Sequence, residues 1–448
     1  SVTSIWEYAF YDCSNITNLT IGNSVTNIGE YAFSNCSSIT NVVWNAENCT
    51  KVGSNNNRQI FSNCSQLTTI TIGNNVKTIP AYAFYKCSSL TSVTIGNSVE
   101  RIGDIAFYDC SSLTSIVIPD SVTSIGDNVF SYCSGITSIT ITNSIKRIGT
   151  SAFSNCSNLT SVVWDAESCV EAGSRDYPIF KSCSELTTIT IGNNVKTIPA
   201  FAFSGCSGLT NVKIPNSVTS IWEYAFYDCS NITNLTIGNS VVSIGDNAFY
   251  RCSSLTNIVI PDSVTNIRKY AFSYCSGLTS VTIGNSVTSI GENAFSYCSG
   301  LTNVKIPNSV TSIGKYAFYK CSSLTSVTIG NSVTSIDDYA FQGCTGLTSI
   351  TIPDSVMSIG YGAFYNCSNL TSVTIGNGVT SIGSSAFYNC SSLKKVFYKG
   401  TDGQWVNISI SSTNNSCLTN ATRYYYSESR PVESGNYWHY VDGKIVVW

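Results

Sequence analysis

A single histidine, His439, serves all 448 residues, and it stands ten residues from the end. Acid–base chemistry built on imidazole has almost nothing to work with, and no Ser/His/Asp set, paired carboxylates or glycine-rich phosphate loop is present. Charge is also scarce. Only 11% of the residues are charged, 23 basic and 26 acidic, for a net charge of −3. No basic stripe exists to neutralise phosphates, so nucleic acid is not an expected partner. Long apolar runs are missing too: hydrophobic residues make up 43% of the chain but are dispersed, and none of their runs nears the roughly 18 residues of a membrane span. No CxxC pair occurs, and without clustered Cys or His ligands neither a metal nor any other cofactor is expected.

What the chain does have is regularity. Its 20 cysteines are too dilute for a small disulfide-stapled domain, and their spacing decides their meaning. Seventeen of them, from Cys13 to Cys390, share the context AF..CS or a close variant, and successive ones are 23 apart except for two gaps of 28 and 27. Cys49, Cys169 and Cys417 lie outside this series. One unit reads SVTSIGENAFSYCSGLTNVKIPN. In its last part Val304 and Ile306 alternate with Asn303 and Lys305, the period of a half-buried strand. SVTSI is a second, shorter strand candidate, and GENAFSYC between them suits one or two helical or 3₁₀ turns. Such a unit cannot bury its own Ile, Phe and Leu, so successive units must stack on a shared core. Equivalent residues then lie roughly 5 Å apart, which makes the cysteines an internal ladder of small buried thiols. Labelling of the native chain is expected at no more than the three cysteines outside that ladder, for which Cys49–Cys64 and Cys169–Cys183 bridges remain open.

The unit, C..L..V.I(P/G)(N/D)SV..IG..AF..C, resembles the BspA-type, or Treponema pallidum-like, leucine-rich repeat. The resemblance covers residues 1 to about 398. It implies a right-handed, curved leucine-rich repeat solenoid of about 17 units of 23 residues, β-rich with short helical or 3₁₀ turns, in a bacterial protein secreted to the cell surface. It also implies binding to a host or neighbouring-cell surface protein or glycan, and no catalytic residue.

Two insertions, near residues 45–58 and 165–178, follow Trp44 and Trp164, which replace the usual strand ending. Each is either a loop that binds on one face or a bulge that packs its own tryptophan. The residue after the strand alternates Gly and Pro from Gly192 to Gly376, and residues 1–25 recur unchanged at 217–241. Both patterns point to growth by duplication. The chain begins at Ser1 in mid-unit, without a signal peptide or a polar cap, and is read as continuing a longer secreted protein. Past Lys394 and Lys395 the period stops, and 399–448 reads as a small β-rich cap or tail. Its stretch GNYWHYVDGKIVVW is either a cover for the last rung or an aromatic platform for sugars.

The outward strand residues are mostly Ser and Thr. Asn211 with Lys213 and Asn303 with Lys305 depart from this, and Tyr224 and Tyr227 are among the tyrosines that collect around AF. These six, with Trp44 and Trp164, form the candidate binding surface. The expected function is a monomeric, non-catalytic interaction or adhesion scaffold. The alternative is a carbohydrate or cell-wall recognition module that uses the aromatic tail.

Overall fold

A computed structural model describes residues 1–53 and 59–448. It contains two compact units, Ser1–Ile232 and Thr233–Trp448. Each is a parallel β-solenoid, with about 18 turns in the whole chain.

In the first unit the longer strands of successive turns pair in parallel. One row runs through Asn18–Ile21, Asn41–Trp44, Thr69–Ile72 and Ser92–Thr94, and another through Ser138–Ile141, Ser161–Trp164, Thr188–Ile191 and Asn211–Lys213. Two-residue strands such as Arg101–Ile102 and Ser124–Ile125 form a second row. The second unit repeats the plan with Asn257–Ile260, Ser280–Ile283, Asn303–Lys305 and Ser326–Thr328. Its register follows the 23-residue period, with Ser280 opposite Asn303 and Val281 opposite Val304. Most of the longer strands alternate outward and buried residues, so Val304 and Ile306 point inward while Asn303 and Lys305 point out.

The corner is held in two directions at once. In GENAFSYC, the N–H groups of Ala294, Ser296 and Cys298 bond three residues back, to the carbonyls of Gly291, Asn293 and Phe295, at 3.1–3.3 Å. The intervening N–H groups of Asn293, Phe295 and Tyr297 reach the next rung instead, at the carbonyls of Lys315, Ala317 and Tyr319, 2.7–2.9 Å away. Every second donor therefore builds its own turn and the others build the stack. At this bend the rungs approach closely: a Cβ on Gly291 would lie 2.8 Å from the carbonyl oxygen of Ile267.

Phenylalanine fills the interior. Phe249, Phe272, Phe295, Phe318, Phe341, Phe364 and Phe387 stack with ring centroids 5.1–5.5 Å apart, all of them buried. Cysteine serves the backbone next to them. The Cys321 Sγ donates to the carbonyl of Phe295 in the preceding rung at 3.2 Å, and the Cys298 Sγ to that of Phe272 at 3.2 Å. All 20 cysteines are thiols. Burial pushes the thiol pKa up, to about 12 at Cys275 and Cys321.

Both insertions widen a rung rather than project a tryptophan. Trp44 stands in register with Ile21 and Ile72, Trp164 with Ile141 and Ile191, and both indoles are fully buried. Each meets a core ring edge-on, Trp44 at Phe84 (5.6 Å) and Trp164 at Phe203 (5.2 Å). A wider turn encloses more volume, and an indole fills what an isoleucine would leave empty. Cys49 and Cys169 are likewise buried and are free thiols, so neither the Cys49–Cys64 nor the Cys169–Cys183 bridge forms. Residues 54–58 of the first insertion lie outside the described residues.

Parallel pairing continues beyond residue 398. Ser409–Ile410 pairs with Ser381–Ile382 at an offset of 28, and Thr422–Tyr426 pairs with Lys395–Tyr398 at an offset of 27. These are the offsets of the two insertion rungs. Cys417, 27 residues after Cys390, is thus the next member of the ladder, and it is half-buried. Two one-turn helices, Asp402–Trp405 and Ser416–Thr419, take up the extra length. Thr401 caps the first, donating its N–H to Gln404 and accepting the N–H of Gln404 in return. The chain then makes a hairpin, with Tyr437–Val441 parallel to Thr422–Tyr426 and antiparallel to Lys444–Val447. Trp438 is buried and donates its indole N–H to the carbonyl of Tyr398 at 3.0 Å.

Candidate functional site

Two surfaces repeat from rung to rung. The first is the outward face of the longer strands, which in the second unit presents Ser280 and Thr282, Asn303 and Lys305, and Ser326 and Thr328. Threonines just before these strands are already engaged, as where Thr302 Oγ1 donates to the carbonyl of Thr279 at 3.2 Å and Thr325 Oγ1 to that of Thr302 at 3.0 Å. These side chains tie rungs together, so the solvent-facing groups are the alternate positions that follow.

The second surface is a ribbon of tyrosines around the corner. In the second unit Tyr274 stacks on Tyr297 with centroids 4.3 Å apart, Tyr297 meets Tyr319 at 5.1 Å, Tyr316 stacks on Tyr339 at 4.9 Å, and Tyr339 meets Tyr361 at 5.0 Å. Tyr316 joins the two runs by its contact with Tyr319 at 5.5 Å. The Lys320 ammonium sits 5.1 Å and 5.2 Å from the Tyr297 and Tyr319 ring centroids. Burial, aided by a hydroxyl contact with Tyr297, holds the Tyr274 phenol above its usual range. In the first unit Tyr85, Tyr108 and Tyr132 make a shorter run at 5.2 and 5.3 Å.

Several of these tyrosines occupy backbone that disfavours them. Tyr274, Tyr297, Tyr316 and Tyr339 have φ between 57° and 60°, the left-handed region. Other rungs place asparagine at the equivalent corner positions, as at Asn128, Asn293 and Asn366. Asparagine adopts that conformation more readily than tyrosine, so local backbone preference does not account for the rings.

Of the residues singled out in the sequence, Asn211, Lys213, Asn303 and Lys305 are exposed on strand faces, the first pair in one unit and the second in the other. Tyr224 and Tyr227 come together, half-buried, at 5.5 Å, with Phe201 stacked on Tyr224 at 5.1 Å and the Arg175 guanidinium 5.5 Å from the Tyr224 ring. Trp44 and Trp164 are part of the core, so the insertion tryptophans leave the candidate surface. Sequence reading missed the run through Tyr274, Tyr316, Tyr339 and Tyr361. Tyrosine pairs separated by 22 or 23 residues, on either side of AF, were the available signal.

Among the described residues no group of His, Cys, Asp and Glu is placed to hold a metal ion. No described helix is long and apolar enough to cross a membrane.

Comparison with known proteins decides the family. The profile of the BspA type leucine rich repeat region matches residues 1–110, 55–171, 176–302 and 288–417. The chain belongs to the BspA-type leucine-rich repeat family. Among solved structures, a leucine-rich repeat protein from Bacteroides ovatus is 30% identical, with a TM-score of 0.62, and the match covers 80% of this chain and 92% of that one. A leucine rich cell surface protein from Faecalibacterium prausnitzii is 27% identical over 89% of this chain and 92% of its own, with a TM-score of 0.36. A leucine-rich repeat protein from Eubacterium ventriosum is 24% identical over 78% and 88%, with a TM-score of 0.41. Compared with the curated proteins, the BspA-type chain matches none.

Proposed function

We propose that this BspA-type protein is a non-catalytic scaffold that works outside the cell, adhering to a host or neighbouring-cell surface protein or glycan. The observation that carries the reading is the tyrosine ribbon: aromatic side chains held at left-handed backbone positions, stacked rung on rung and partly exposed. Backbone strain of this kind, about 1 kcal/mol or more per residue, is retained where something other than folding uses the side chain. Stacked contacts (Tyr274–Tyr297, Tyr316–Tyr339) alternate with edge-on ones (Tyr297–Tyr319, Tyr339–Tyr361), so the rings form one continuous amphipathic strip suited to an extended partner. Weak contacts at successive rungs then add through effective concentration. Because the ribbon and strand faces carry little charge, this binding is expected to change little with salt.

The alternative of an aromatic sugar platform in the tail is weakened by Trp438, whose indole is buried and bonded inside the last turns. The test is the full chain on arrays of matrix proteins and surface glycans, beside a variant with Tyr274, Tyr297, Tyr316 and Tyr339 all changed to Asn. Asparagine suits the backbone there, so the variant should fold with equal or greater stability. It should lose about tenfold or more in affinity for the partner found. Unchanged binding would remove the ribbon from the function.

A further inference from the structure

Near the C-terminal end of the second unit the outward strand face stops being open. Thr374 and Phe397 take positions that are exposed in earlier rungs, yet they are only 3% and 6% accessible. Phe397 stacks on Tyr424 at 5.2 Å and meets Trp438 of the terminal hairpin edge-on at 5.6 Å. The return strand of that hairpin brings Lys444 and Ile445 to the rim of a cleft of about 560 Å³. Ser349, Thr351, Ser372 and Thr374 floor it, Lys395 continues that row in register with Ser372, and Lys394 also lines the cleft.

This is an unusual concentration of one charge. Three ammonium groups line the cleft, no carboxylate does, and the neighbouring Asp354 is paired with Lys399 at 3.2 Å. Like charges held together without a counter-charge oppose folding, and an anionic ligand relieves that cost. The floor narrows the chemistry. The backbone groups of Ser372–Ile375 and Lys395–Tyr398 are paired in parallel on both sides, so these two rungs offer a ligand side chains and no free peptide edge. Lysine is a mobile point charge rather than a planar fork, and it suits carboxylates spaced along a flexible chain. A volume of this order is that of a small-ligand site.

We propose that this cleft binds a carboxylate-bearing oligosaccharide, its acid groups on Lys394, Lys395 and Lys444 and its hydroxyls on the Ser and Thr floor. The site stands on the cleft alone and does not depend on the tyrosine ribbon. The experiment titrates the full chain with tri-galacturonic acid, a neutral galactose trisaccharide and a hexaglutamate peptide, followed by calorimetry at low salt. Tri-galacturonic acid should bind at least tenfold more tightly than either of the others. Lys395→Ala and Lys444→Ala should each weaken it by about two- to fivefold, and the triple alanine variant should weaken it by roughly the product of the single effects. About 0.5 M salt should weaken it further. The thermal transition of each variant should match or exceed that of the parent, because all three lysines are solvent-facing and removing one relieves like-charge repulsion. Absence of tri-galacturonic acid binding, equal binding of the neutral sugar, or full affinity in a folded triple variant would overturn the site. Equal or tighter binding of hexaglutamate would overturn the saccharide and leave a site for acidic peptide.

Discussion

Residues 1–16 and 217–232 are the same sixteen letters in two settings. Phe10 is 42% exposed, whereas Phe226 is fully buried; Val2 is 65% exposed and Val218 is buried. Trp6 is 74% exposed and Trp222 38%. The difference lies in what precedes each copy. Phe226 stacks on Phe203 of the rung before it at 5.3 Å, while Phe10 has only the following ring, Phe33, at 5.2 Å. Identical letters are therefore buried only as far as a neighbouring turn covers them, because in a solenoid burial is supplied by that turn.

The largest expected effect falls on one of these two phenylalanines. Phe226, buried under a preceding turn, is the sharper case: Phe226→Ala should cost about 3–5 kcal/mol locally, as for a large ring lost from a packed core. Hydrogen exchange should show the Phe226→Ala loss confined first to adjoining rungs. Uniform loss of protection along the chain would break the nearest-neighbour picture.

Thiol chemistry sharpens the same contrast with a smaller effect. Cys13 is half-buried and Cys229 is fully buried, with burial raising the pKa of Cys229. Alkylation of the native protein near pH 8 should therefore mark Cys13 and Cys417 first, followed by mass measurement. The sign of the pH dependence follows from the raised values. A thiol that is harder to ionise when folded stabilises the fold fully below its unfolded pKa near 9, and this contribution is lost as the pH rises toward about 12, as for Cys275 and Cys321. Melting temperature should accordingly fall above about pH 9. Rapid labelling of the interior thiols at neutral pH would show that the rungs open.

Much of this architecture was legible because the period is strict. Alternation at Val281 and Ile283 announces the strand, and the Cys and Phe positions announce the stack. Legibility failed wherever the period was broken. The offset of 27 that carries Cys417 looked like the end of the array, yet strand pairing crosses it. Trp44 and Trp164 looked available in a loop because the sequence does not state how wide a rung becomes. The tyrosine ribbon was hidden for a different reason: left-handed backbone is expected at Gly or Asn, and a tyrosine there carries no local signal of its conformation. The terminal hairpin had a readable mark in Asp442–Gly443, both with positive φ, between two apolar strands. What that turn does, bringing Lys444 over the face of earlier rungs, depends on packing between residues nearly 100 positions apart in sequence.

The central claim is that binding, like burial, is distributed over equivalent rungs. The direct measurement is the affinity of the full chain for its array-identified partner beside versions lacking two repeats, residues 284–329, or four, residues 238–329. These excisions keep the register of the stack, since each removes whole 23-residue units. The account predicts a stepwise fall in affinity with each pair removed, little altered by moderate salt. Full affinity after both excisions, or complete loss with the first, would contradict it and place recognition at one discrete site.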